Sequence, residues 1–130
     1  MPADGVVTVE DRDSGRSVTA RFTRVGEDLV VAVGGGERPH VGCVVLATPN
    51  PVEGEASTRS ASCSVLTIPP HKEEPIARGI ATLLAQRLDT VAVVTAGVHE
   101  DGLDRTGIED FLRLGERLGE ELVRQLQDQG

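Results

Sequence analysis

The three histidines, His40, His71 and His99, are the side chains best suited to acid–base or ligand chemistry near neutral pH. Each stands in a polar, turn-like stretch. His40 follows Gly34-Gly35-Gly36-Glu37-Arg38-Pro39, His71 lies within Pro69-Pro70-His71-Lys72, and His99 precedes Glu100-Asp101-Gly102. Three readings stay open. With Glu100 or Asp101, the three imidazoles suit a zinc- or iron-type ion and a small metal-dependent enzyme, although their spacing follows no metal motif. As hydrogen-bonding groups they suit a polar cofactor, with Lys72, Arg78 or Arg38 neutralising a phosphate. As loop residues, each ring satisfies backbone groups of its own turn.

Covalent catalysis finds little support. Ser60, Ser62 and Ser64 lie in or beside a strand with no G-x-S-x-G turn. Cys43 and Cys63 form no CxxC pair and have no base at a defined spacing, so they read as small buried residues of a reducing cytoplasm. Glu100 and Asp101 are adjacent, so they need not face one point as an acid/base pair would. The run Gly34–Gly36 follows neither GxxxxGK[ST] nor GxGxxG. It reads as a hairpin tip, or as backbone amides approaching a phosphate or ring. The chain is therefore not expected to be an enzyme.

Charge and composition narrow the partners. Thirteen basic against 21 acidic residues give a net charge of −8, and Phe22 and Phe111 are the only aromatics. Nucleic acid is a poor partner for such a surface, since phosphate binding needs clustered cations and base stacking needs rings. The most apolar stretch, Val91–Val98, is far shorter than the ~20 residues that span a bilayer. The start, Met-Pro-Ala-Asp-Gly, has neither the basic flank nor the apolar core of a signal peptide. At 130 residues and 38% apolar content, a single domain over 1–130 is expected, with core enough to fold without disulfides or metal.

The elements that must position the histidines follow from periodicity. Val6–Glu10, Ser17–Arg24 and Asp28–Val33 alternate apolar and polar residues, as strands do. Val41–Ala47, Ala61–Ile68 and Thr90–Ala96 add three more strands, the last apolar throughout and so expected to be central. Ile76, Ile80, Leu83, Leu84 and Leu88 predict a helix over Glu74–Leu88, with Pro75 in its first turn. A second helix carries Ile108, Phe111, Leu112, Leu118, Leu122 and Leu126, with Thr106 and Glu109 read as a capping box. Gly115 and Gly119 either weaken it or permit close packing. The order βββββαβα predicts an α+β fold: a mostly antiparallel mixed sheet with both helices on one face.

That topology gathers the chemistry. The strand–helix–strand unit makes the fifth and sixth strands run the same way, so the loops holding His71 and His99 leave one sheet edge. If the fourth strand is antiparallel to the fifth, the loop holding His40 reaches the same edge. Both helix N-termini point there too, where free N–H groups favour anions. Glu73 and Glu74 suit the first turn of a helix and would oppose a phosphate.

The stretches Gly35-Gly36-Glu37-Arg38-Pro39-His40-Val41-Gly42, Ile68-Pro69-Pro70-His71-Lys72-Glu73-Glu74 and Ala96-Gly97-Val98-His99-Glu100-Asp101, in this order, resemble the LpdD family of prenylated-flavin chaperones. The resemblance runs over roughly residues 17 to 125. It implies a cytoplasmic protein that holds prenylated FMN and delivers it to a UbiD-type decarboxylase, assisting its maturation. It also implies a fold like that of proteasome assembly chaperones, often a homodimer. Its motifs carry over to His40, Gly42, His71, Lys72, His99 and Asp101 as cofactor-binding residues, with Arg78 as a phosphate contact. Pro70 and Gly102 depart from the expected glycine and asparagine and alter their loops. A metal on His40, His71 and His99, or an assembly module without a small ligand, stands as the alternative.

Overall fold

The computed structural model describes residues 3–52, 54, 59–69 and 73–128. His71 and Lys72 lie outside the described residues, as does Pro70. The elements are β1 (Asp4–Glu10), β2 (Ser17–Val25), β3 (Asp28–Gly36), β4 (Cys43–Pro49), β5 (Ala61–Thr67), α1 (Glu74–Leu88), β6 (Ala92–His99) and α2 (Arg105–Asp128). This is the expected α+β order, and α1 has the expected bounds.

The strands form one six-stranded sheet in the order β1-β2-β3-β6-β4-β5. Only the β3–β6 pair is parallel; the other four pairs are antiparallel. β5 and β6 do run the same way, because β4 lies between them and is antiparallel to both. The apolar β6 is central, flanked by β3 and β4.

Alternation divides the sheet into two faces. Val7, Val18, Ala20, Phe22, Val31, Val45 and Val94 point to one side and are buried. Both helices cover that side: α1 lies on β4, β5 and β6, α2 lies on β1 and β2, and the helices pack on each other. Gly115 and Gly119 of α2 let α1 approach, since a methyl group there would stand 3.1–3.2 Å from Ile76 and Leu83. Leu114, Leu118 and Leu122 fill the layer between helix and sheet. Removing one such leucine side chain costs about 2–5 kcal/mol. The opposite face is open. It carries Val30 (43% exposed), Leu46 (39%) and Leu66 (74%) among serines and threonines.

Two local expectations change. β3 continues through Gly34, Gly35 and Gly36, which read as loop in the sequence, because their amides and carbonyls pair in register with Gly97, Val98 and His99. The cap of α2 is Asp104, not Thr106. Its Oδ1 accepts the Gly107 N–H at 2.9 Å, while Thr106 already lies inside the helix.

Candidate functional site

The segment between β3 and β4 is fixed by backbone bonds to the end of β6. The N–H groups of Glu37 and Arg38 donate to the His99 carbonyl (2.7 and 3.3 Å), His40 N–H donates to Gly97 O, and Gly42 N–H donates to Ala96 O at 3.0 Å. Glycines permit this approach. A Cβ on Gly34 would stand 2.8 Å from Pro39 Cβ, and one on Gly97 would overlap the His40 carbonyl. His40 and His99 therefore share one sheet edge, as the topology predicts.

Each of these two imidazoles has its own acidic partner. His40 Nε2 lies 3.0 Å from Glu73 Oε1, and its Nδ1 lies 3.2 Å from the Arg38 carbonyl oxygen. Both partners are acceptors, so both bonds form together only with a proton on each ring nitrogen or on Glu73. Glu73 is the N-cap residue of α1 and is buried. A side chain at Gly42 would meet its carboxylate at 2.8 Å, which explains the glycine there. Glu73 thus serves the loop by holding His40, where the sequence suggested only a helix dipole effect.

His99 Nε2 lies 2.7 Å from Arg38 Nη2 and 2.8 Å from Asp101 Oδ1, and Arg38 Nη2 donates to that same oxygen at 2.8 Å. One ring nitrogen serves one bond at a time: unprotonated it accepts from Arg38, protonated it donates to Asp101. The His99 hydrogen bond, then the Arg38 charge, hold the Asp101 carboxyl below its usual range. All three side chains are exposed or half-buried.

Glu100 turns the other way. Arg16 Nε and Nη2 donate to its two oxygens at 2.9–3.3 Å, and Arg16 Nη1 donates to buried Asp110 at 2.8 Å. Arg113 also binds Asp110. The Arg16 fork holds the Glu100 carboxyl below its usual range. Glu100 is therefore occupied in the fold rather than offered as a metal ligand beside His99. No cluster of three or more His, Cys, Asp or Glu suited to a metal forms among the described residues. Arg78, the expected phosphate contact, is exposed on α1 and ion-paired with Glu74 one turn back.

Beside His40, on the open sheet face, lies a groove of about 460 Å³, bounded by Ser17, Thr19, Arg21, Gly34, Pro39 and Thr95 among others. That is within the ~300–1,000 Å³ usual for small-ligand sites. The sequence reading missed Arg21. Its signal was the alternation of β2, which sends Ser17, Thr19 and Arg21 to the face opposite Val18, Ala20 and Phe22. Arg16 left no comparable trace, since its partners are 84 and 94 residues away.

This small α+β domain thus presents two imidazoles, arginines and a shallow groove at one end of its sheet. The chain belongs to the LpdD-like prenylated flavin chaperone domain family, whose model matches residues 12–127. Membership implies a chaperone's non-enzymatic role. The crystal structure of a novel chaperone complex for yeast 20S proteasome assembly aligns with a TM-score of 0.48 at 7% identity, covering 89% of this chain and 98% of that one. No curated protein matches. No described helix is long and apolar enough to cross a membrane.

Proposed function

We propose that this protein holds prenylated FMN at the β3/β6 edge and delivers it to a UbiD-type decarboxylase during that enzyme's maturation. The observation that carries the reading is the meeting of His40 and His99, from separate motifs of the family, on one fixed edge beside a groove. The donor set fits such a cargo. The His40 imidazole, the Arg21 guanidinium and the Ser17 and Thr95 hydroxyls suit its phosphate and polar ring edge, while Pro39, Val41 and Ala32 offer apolar contact to the ring. The proposed binding residues are His40, Gly42, His99 and Asp101, together with His71 and Lys72 of the neighbouring motif. The chain's two phenylalanines are both buried and it has no Tyr or Trp, so no large aromatic ring is available for stacking. Shallow binding follows, which suits a carrier that must release its load.

The β4/β5 half of the open sheet face, away from that groove, supports a homodimer. Alternation sends Val44, Leu46, Thr48, Ser62, Ser64 and Leu66 there, with no charged side chain among them. Elsewhere a chain of net charge −8 repels its copy.

The test is anaerobic gel filtration with reduced prenylated FMN. Flavin absorbance is expected to travel with the protein and to pass to an apo-decarboxylase added afterwards. Complete loss of flavin at micromolar protein overturns the reading.

A further inference from the structure

We propose that Arg21 receives the anionic end of the cargo, so that a phosphate monoester lies on the open sheet face at β2 rather than against α1. This deepens the reading above and rests on it. Arg16, Arg38, Arg59, Arg78, Arg87, Arg113 and Arg124 are each paired with a carboxylate. Arg21 has no ion-pair partner among the described residues, yet it lines the same groove as His40. The Ser17 and Thr95 hydroxyls in that groove likewise have no hydrogen-bond partner among the described residues. A free planar fork with hydroxyls beside it, in a groove whose lining holds no carboxylate, is the donor set that a phosphate dianion requires.

The sheet also sets the span. Arg21 is in register with Ala32, and Gly34, two residues further along β3, is in register with Gly97 beneath His40. Two strand spacings and one two-residue step separate Arg21 from Gly97, about 12 Å between backbones. That leaves room for a heterocycle at the histidine end and a phosphorylated chain reaching β2. Arg78 is a weaker candidate, because Glu74 already neutralises it and would repel the incoming anion.

The experiment measures anaerobic binding of reduced prenylated FMN and of its dephosphorylated form to wild type, Arg21→Ala, Arg21→Lys, Arg78→Ala and Arg87→Ala. Arg21→Ala is expected to weaken the phosphorylated ligand roughly tenfold to a hundredfold. It should leave the dephosphorylated one within about twofold, with partial recovery in Arg21→Lys. Arg87, at the other end of α1, is the charge control and should bind as wild type. Equal loss of both ligands in Arg21→Ala, or loss confined to Arg78→Ala, overturns the proposal. If wild type retains neither flavin, the chaperone reading fails and inorganic phosphate decides the anion site. Backbone amide shifts at residues 17–21 and 95 under millimolar phosphate, abolished by Arg21→Ala, uphold it; their absence ends it.

Discussion

Gly97 lies directly beneath the backbone of His40, whose N–H donates to the Gly97 carbonyl at 3.4 Å. Any side chain at 97 would overlap the His40 carbonyl, so the loop that carries the histidine can sit on β6 only while position 97 is bare.

Two glycine substitutions should therefore have opposite signs. Gly97→Ala must push the 37–42 loop off the sheet and is expected to cost about 1–3 kcal/mol, as overpacking does. Gly79, within α1, has an ordinary helical backbone, and a methyl group added there would meet nothing within 4 Å. Gly79→Ala should stabilise by up to about 1 kcal/mol. Urea unfolding of both variants checks the pair, and equal effects would contradict the packing described.

The two histidines should differ in their structural weight. His40→Ala leaves the carboxylate of buried Glu73 without its imidazole and is expected to cost about 1–3 kcal/mol. His99→Ala leaves Asp101 exposed and still bonded to Arg38, so its unfolding midpoint should match wild type. Both should reduce flavin retention. A His99→Ala protein that melts normally and retains flavin as wild type would remove His99 from the site.

Acid sensitivity should run through Glu100. Arg16 holds its carboxyl below the usual glutamate value of 4.5, so between the two values the unfolded chain binds more protons than the folded one. The resulting stability is fully present above about pH 4.5 and is lost as pH falls through the lower, folded value. Glu100→Gln is expected to flatten the acid limb of midpoint against pH between 6 and 3, on the order of the range over which carboxylates titrate. Asp11, Asp101 and Glu121 are also depressed by hydrogen bonds and will keep part of the slope.

The two thiols should separate cleanly. Burial, then the charges of Glu74 and Glu73, push the Cys43 thiol up, while Cys63 is exposed on β5. A thiol reagent is expected to titrate Cys63 alone in the folded protein and Cys43 only after unfolding. Rapid modification of both under native conditions would mean that β4 opens readily at its start.

The sequence by itself determined the element types and their order. Alternating valines and threonines can bury only one side of a strand, and leucines at helical spacing can bury only one stripe of a helix, so βββββαβα and a single covered face followed. It also brought His40 and His99 to one edge, because strand direction alone decides which end a loop leaves. Tertiary structure decided what periodicity cannot carry. The insertion of β6 between β3 and β4 turned Gly34–Gly36 from a loop into a strand, since backbone pairing needs a neighbour rather than a side chain. The adjacent Glu100 and Asp101 parted company, one drawn inward by Arg16 and the other left outward with His99 and Arg38. Arg78 and Arg21 make the same point: whether a charge is paired depends on what lies opposite it, which is Glu74 for Arg78 and an open face of the sheet for Arg21.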